Sequence, residues 1–308
     1  MRNAFTESLC EIARQNEKVF LLVADIGNIT FDLFRKDFPD RFLNVGVAEA
    51  NMVGVAAGLA LSGKIPFVYT IASFLTMRAF EQIRNDVCYQ NLNVKIVGVG
   101  GGVAYSTLGP THHALEDISM FRAVPNMTIV SPADPVEARK VSQVAVKTMG
   151  PMYIRLAKAG EPVLNTKPYD FRIGRAVTLR EGNDTTFITT GAITKKALLA
   201  AESLSREGIQ ARVLNMHTLK PLDREVILRA AAETKAILTV EEHSLYGGLG
   251  SAVAEVLAEE ASQKIPFKRM ALPDLFSHDF GSQDYLTDTL GLSVNSMVTT
   301  MKKLLRLC

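Results

Sequence analysis

Apolar runs alternate with mixed, helix-like stretches along the whole chain. Val19-Phe-Leu-Leu-Val-Ala-Asp25 is an apolar run closed by an acidic residue, the pattern of a strand buried on both faces. Similar runs recur at 65–70, 94–99, 127–130 and 152–156. Between them, helices are predicted at 31–37, stopped ahead of Pro39, and at 49–62, ended by Gly63. Others are predicted at 74–89, 115–124 and 135–148. Residues 160–170 carry Pro162 and Pro168 and little periodicity, which predicts a linker. A second alternating unit follows, with strands at 185–190, 211–215 and 235–240. Its helices are predicted at 194–207, 224–233, 250–261, 286–290 and 295–305.

Such alternation predicts an α/β fold of two domains, the first a parallel sheet with helices on both faces. The boundaries drawn are 1–160, a linker at 161–174, and 175–308. Ligands in these sheets collect in the loops at the carboxyl ends of strands, here 72–74, 100–113 and 158–161.

Bulk properties narrow the function. The chain has 308 residues, 47% hydrophobic and 21% charged, with a net charge of +2. That near-neutral balance gives no electrostatic case for nucleic acid or an anionic membrane surface. Runs such as 53–61 are too short to span a bilayer. The opening residues show no signal-peptide apolar region, and Cys10, Cys88 and Cys308 are scattered without metal or disulfide spacing. Free thiols in a reducing cytoplasm are the expectation. No residues with metal-ligand spacing are found.

Four features carry candidate chemistry. The stretch 41–60 places one carboxylate, Glu49, in an almost wholly apolar run. Burying an ionised carboxylate is costly, so Glu49 reads either as a functional group or as a helix-start residue reaching solvent. Gly98-Val-Gly-Gly-Gly-Val103 ends a predicted strand, for close approach to a ligand or for a turn needing positive φ. It lacks the helix spacing of a dinucleotide fingerprint. Gly109-Pro-Thr-His-His113 puts adjacent histidines, which point in different directions, in a loop before a helix. One imidazole there can shuttle a proton or donate to an alkoxide. Phe74, Met77 and Phe80 fall at i, i+3 and i+6, one face of a helix, either core or a platform for a flat ligand.

Several motifs occur in order. They are Pro39-Asp-Arg-Phe42, Val47-Ala-Glu-Ala-Asn-Met52, Ser73-Phe74 with Arg78-Ala-Phe-Glu-Gln-Ile-Arg84, Gly109-Pro-Thr-His112, Met120-Phe-Arg-Ala-Val-Pro125 and Pro132-Ala-Asp134. This series resembles the pyrimidine-binding domain of transketolase. Leu219-Lys-Pro-Leu-Asp223, Thr239-Val-Glu-Glu-His243 and Gly247-Gly-Leu-Gly250 resemble its carboxyl-terminal domain. The resemblance covers essentially the whole chain.

It implies the smaller subunit of a split, thiamine diphosphate-dependent transketolase, moving a two-carbon ketol unit between sugars or sugar phosphates. The family's diphosphate-binding domain carries a Gly-Asp-Gly motif followed by Asn. Here the nearest match, Gly182-Asn183-Asp184, lacks the pattern. A partner chain is therefore expected to hold the diphosphate and Mg2+ (or Ca2+), in an α2β2 assembly. By resemblance, Glu49 hydrogen-bonds the aminopyrimidine ring and promotes its imino tautomer, while Phe74, with Phe80 and Met77, stacks on it. His112 faces substrate hydroxyls, and Arg155 and Lys158 grip a sugar phosphate. Two departures stand out. Lys158 replaces an Arg, and Leu108 stands where enzymes of common sugar phosphates carry an Asp that recognises a donor hydroxyl. Both imply an atypical substrate or compensation by the partner. The rival readings are a 1-deoxyxylulose 5-phosphate synthase-like enzyme, the β chain of a 2-oxo acid dehydrogenase, and a non-catalytic paralogue.

Overall fold

The computed structural model describes residues 1–27, 29–158, 160–164 and 169–306. Its strands are β1 (Val19–Val23), β2 (Phe42–Asn44), β3 (Ile65–Ile71), β4 (Lys95–Val99), β5 (Thr128–Val130), β6 (Met152–Leu156), β7 (Val177–Arg180), β8 (Thr185–Thr189), β9 (Ala211–Asn215), β10 (Thr218–Lys220), β11 (Ala236–Ser244) and β12 (Phe267–Leu272). Its helices are α1 (Arg2–Gln15), α2 (Asp32–Asp37), α3 (Glu49–Leu61), α4 (Ala72–Arg78), α5 (Phe80–Gln82), α6 (Asp117–Arg122), α7 (Pro135–Lys147), α8 (Thr194–Arg206), α9 (Arg224–Glu233), α10 (Leu249–Glu260), α11 (Gln283–Thr287) and α12 (Val294–Leu305).

The first sheet runs β10-β5-β6-β4-β3-β1-β2 and the second β12-β11-β8-β9-β7. Both are parallel except at one edge, where β10 joins β5 and β7 joins β9 antiparallel. The central strands β3, β4 and β6 are buried at every position, which is why they read as unbroken apolar runs. Because β3, β4 and β6 are neighbours, the loops leaving their carboxyl ends converge.

Local chemistry sets the helix boundaries. α7 begins with two side-chain caps: Asp134 accepts from the Glu137 amide (2.8 Å), Pro135 fills the first turn, and Glu137 accepts from the Ala133 amide (2.7 Å). The helix predicted at 74–89 is broken. Ala79 leaves helical geometry (φ −111°, ψ 15°), so α4 stops at Arg78, and a π-helical turn (Ile83–Cys88) follows α5.

The two units share an interior. Met127, Ile129 and Tyr153 of the first sheet pack in one apolar cluster with Ile188, Leu214 and Leu219 of the second unit. β10 belongs to the second half of the chain yet completes the first sheet, and Lys220 on it donates to the carbonyls of Arg122 (2.9 Å) and Val124 (2.6 Å). No helix among the described residues is long and apolar enough to cross a membrane.

Candidate active site

Glu49 opens α3 and is only 3% exposed. A helix start favours a negative charge, because the first amides point at it. The carboxylate is also paired: Arg78 Nη1 donates to Oε1 (2.9 Å) and Oε2 (3.1 Å). The apolar setting predicted for Glu49 thus holds one opposite charge. Arg78 sits four residues after Phe74 on α4, so the two side chains share a helix face. Its guanidinium lies 4.1 Å from the centre of the Phe74 ring.

From Phe74 the site continues through aromatic contacts. The His112 ring stands edge-on to Phe74 (centroids 5.0 Å apart) and to Tyr105 (6.2 Å). His112 closes a 3-10 turn (Pro110–His112), and its Nδ1 lies 3.0 Å from Thr111 Oγ1. Lys158 Nζ lies 5.0 Å from the Tyr105 ring centre. Glu49, Arg78, Phe74, His112, Tyr105 and Lys158 therefore form a track in that order, from buried carboxylate to terminal cation. Leu108 shares a turn with Tyr105, whose carbonyl accepts its amide (2.8 Å), and is 49% exposed.

Tyr105 carries no motif and is not found from sequence. The signal was indirect: Gly100 has φ +83°, and a Cβ there would lie 2.1 Å from the Tyr105 ring. The glycine cluster serves packing. A Cβ on Gly101 would meet the Arg155 guanidinium (2.7 Å), and one on Gly102 would meet the Glu242 carboxylate (2.4 Å).

Two further residues singled out from sequence, Phe80 and Arg155, have partners of their own. Phe80 follows the break at Ala79 and stacks on Phe121 (centroids 6.2 Å apart, planes 21°) against the apolar core. Arg155, which the resemblance assigns to a sugar phosphate, is engaged within the chain. Its guanidinium is buried, with Nε donating to Asp117 (2.7 Å) and Nη2 to the carbonyls of Ala114 (2.8 Å) and Glu242 (3.0 Å). The bond to Glu242 joins the two units. Burial pushes the Asp117 carboxyl up, but Arg155 and His243 outweigh it and hold it below the usual carboxylate range. Met77, half exposed, lines a cavity of about 200 Å³ with Ser73, Thr111, His113 and Phe276. His113 is buried, and burial, then the neighbouring His112, lowers its pKa; the ring that meets Phe74 and Tyr105 is that of His112.

The residues fit an aminopyrimidine. A planar, nitrogen-donating π system already lies over Phe74 and bonds Glu49, in the form of the Arg78 guanidinium. No group of metal-ligating side chains occurs among the described residues.

The two sheets define an α/β protein of two units, and the track lies in the first of them. Residues 1–160 match the family model described as "Transketolase, pyrimidine binding domain", and 174–297 match "Transketolase, C-terminal domain". The chain belongs to the transketolase family. It is 40% identical over 299 residues to SqwH, a 6-deoxy-6-sulfo-D-fructose transketolase subunit of Clostridium sp. (strain MSTE9), covering 97% of this chain and 92% of that one. It is 43% identical over 275 residues to one of the apulose-4-phosphate transketolase subunits of Phocaeicola vulgatus, covering 89% and 87%. A solved structure titled "Split gene transketolase, inactive beta4 tetramer" superposes with a TM-score of 0.89 at 43% identity, covering 99% and 98%. The chain is accordingly a transferase subunit of the split-transketolase kind, in a family that uses thiamine diphosphate.

Proposed function

We propose that this chain supplies the pyrimidine half of a thiamine diphosphate site whose diphosphate and Mg2+ are held by a partner chain, in an α2β2 assembly of cytoplasmic carbohydrate metabolism. The observation that carries the reading is the buried Glu49 joined through Arg78 to the Phe74 face, with His112 next along the track. A smooth exposed strip supports a partner at this place. Gly54 and Gly58 on α3 leave open space where a side chain would project, beside exposed Val47 and Leu61.

Bound thiamine diphosphate would supply a nucleophilic carbon able to accept a two-carbon unit. Glu49 would hold a proton at the ring nitrogen and fix the ring against Phe74. A ketose donor breaks its C2–C3 bond as the C3 hydroxyl loses a proton and leaves as an aldehyde. The same steps in reverse join the two carbons to an acceptor aldehyde. His112 would hold that hydroxyl oxygen and carry its proton. Lys158 would bind an anionic tail as a point charge. Leu108 offers a hydroxyl nothing to bond, which favours a substrate other than the common pentose phosphates.

The test is reconstitution with a chain that carries the Gly-Asp-Gly…Asn domain, plus thiamine diphosphate and Mg2+. Ketol transfer should appear only in the pair, and Glu49→Gln should abolish it. An unchanged rate would favour a non-catalytic role, and ordinary rates on xylulose 5-phosphate would sink the atypical-substrate reading.

A further inference from the structure

Arg78 makes the two contacts that the proposed ring would need. Its guanidinium is flat, lies 4.1 Å from the Phe74 ring centre, and donates to both oxygens of Glu49 (2.9 and 3.1 Å). Arg78 itself is accessible, with 46% of its side chain exposed against 3% for Glu49. A carboxylate buried to that degree needs a countercharge whenever no ligand is bound. A planar cation that can also stack answers both demands at once.

We propose that Arg78 is a stand-in for the cofactor's aminopyrimidine ring: it occupies the Phe74 face and the Glu49 carboxylate in the unloaded chain, and leaves both when the ring arrives. This rests on the placement of the ring site given above. Arg78 is then a positioning residue. It keeps Glu49 and Phe74 aligned before assembly, and its displacement is part of every cofactor-binding event. The exposed side of the guanidinium gives it an exit to solvent or to the partner surface. A site closed nine-tenths of the time weakens apparent affinity about tenfold.

The experiment measures thiamine diphosphate binding calorimetrically to the assembled complex with Mg2+, alongside the melting temperature of the unloaded complex. Arg78→Ala should bind thiamine diphosphate about tenfold more tightly than the wild type while melting at a lower temperature. Arg78→Lys keeps the charge but cannot lie flat on Phe74, and should bind with intermediate affinity. In a Glu49→Gln background, the gain from Arg78→Ala should shrink, because one of the contested partners has changed. A merely structural arginine would lower the melting temperature and leave affinity unchanged or weaker, and that outcome overturns the proposal. Absence of any thiamine diphosphate binding by the wild-type complex overturns the cofactor reading itself.

Discussion

Arg155 and Asp117 hold opposite charges in the interior, 2.7 Å apart, and Tyr153 adds a hydrogen bond to the same carboxylate (2.6 Å). Removing one member of such a pair strands the other in a medium that solvates it poorly. Arg155→Ala should therefore cost about 3–5 kcal/mol, read as a shift in denaturant midpoint. KM for an anionic substrate should stay near the wild-type value in the folded fraction; a selective KM rise would return Arg155 to the substrate track. Sequence shows that an arginine ends a strand, but not the direction of its side chain. That direction follows from the β6 register, which aims Arg155 at Asp117 and the carbonyl of Glu242, a residue of β11 far along the chain. Glu49 was legible because a lone charge in an apolar run is rare, whereas nothing in the sequence pairs it with Arg78, twenty-nine positions on.

The helices and strands of the first sheet's centre follow directly from apolar periodicity. The pieces not foreseen are short or amphipathic: α1 at the start, β2 and β10 of three residues each, β7 and β12 at the edges. Short edge strands carry too few apolar positions to stand out from loops. The break at Ala79 has no proline or glycine to announce it, and it decides which way Phe80 points. The turn from Gly100 to His112 works as one packed element, and Gly100 is its tightest point. Gly100→Ala adds a methyl 2.1 Å from the Tyr105 ring at φ +83°. It should destabilise by ~1–3 kcal/mol. With Tyr105 displaced, His112 loses a neighbour, and kcat/KM should fall about tenfold or more. Adding Tyr105→Leu should restore melting temperature more than activity. Full recovery of activity would show that Tyr105 does not order the track.

At the scale of the whole molecule, the second unit contributes a buried His217 stacked on Phe171 of the inter-unit segment (centroids 4.0 Å apart, planes 21°). Burial depresses its pKa to about 3, so the native ring stays neutral while an unfolded chain takes up a proton below its ordinary value of 6.5. The unfolded state then binds more protons, and stability falls as pH drops from 6.5 towards 3, by about 1.4 kcal/mol per unit at most. Urea midpoints at pH 7 and pH 5 should show that loss, and His217→Phe should remove most of it. A variant with the wild-type slope would assign the acid sensitivity to other groups.

The strand Thr218–Lys220 has a genealogical consequence. The boundary drawn in sequence near residue 170 is crossed in space by a hydrogen-bonded ladder and by a common interior. A recombinant that took its front half from one relative and its back half from another would have to rejoin an edge strand to a foreign sheet. Lys220 would also have to find the carbonyls of Arg122 and Val124 in a new host. A substitution on one side of that seam is thus constrained by what the other side can still accept.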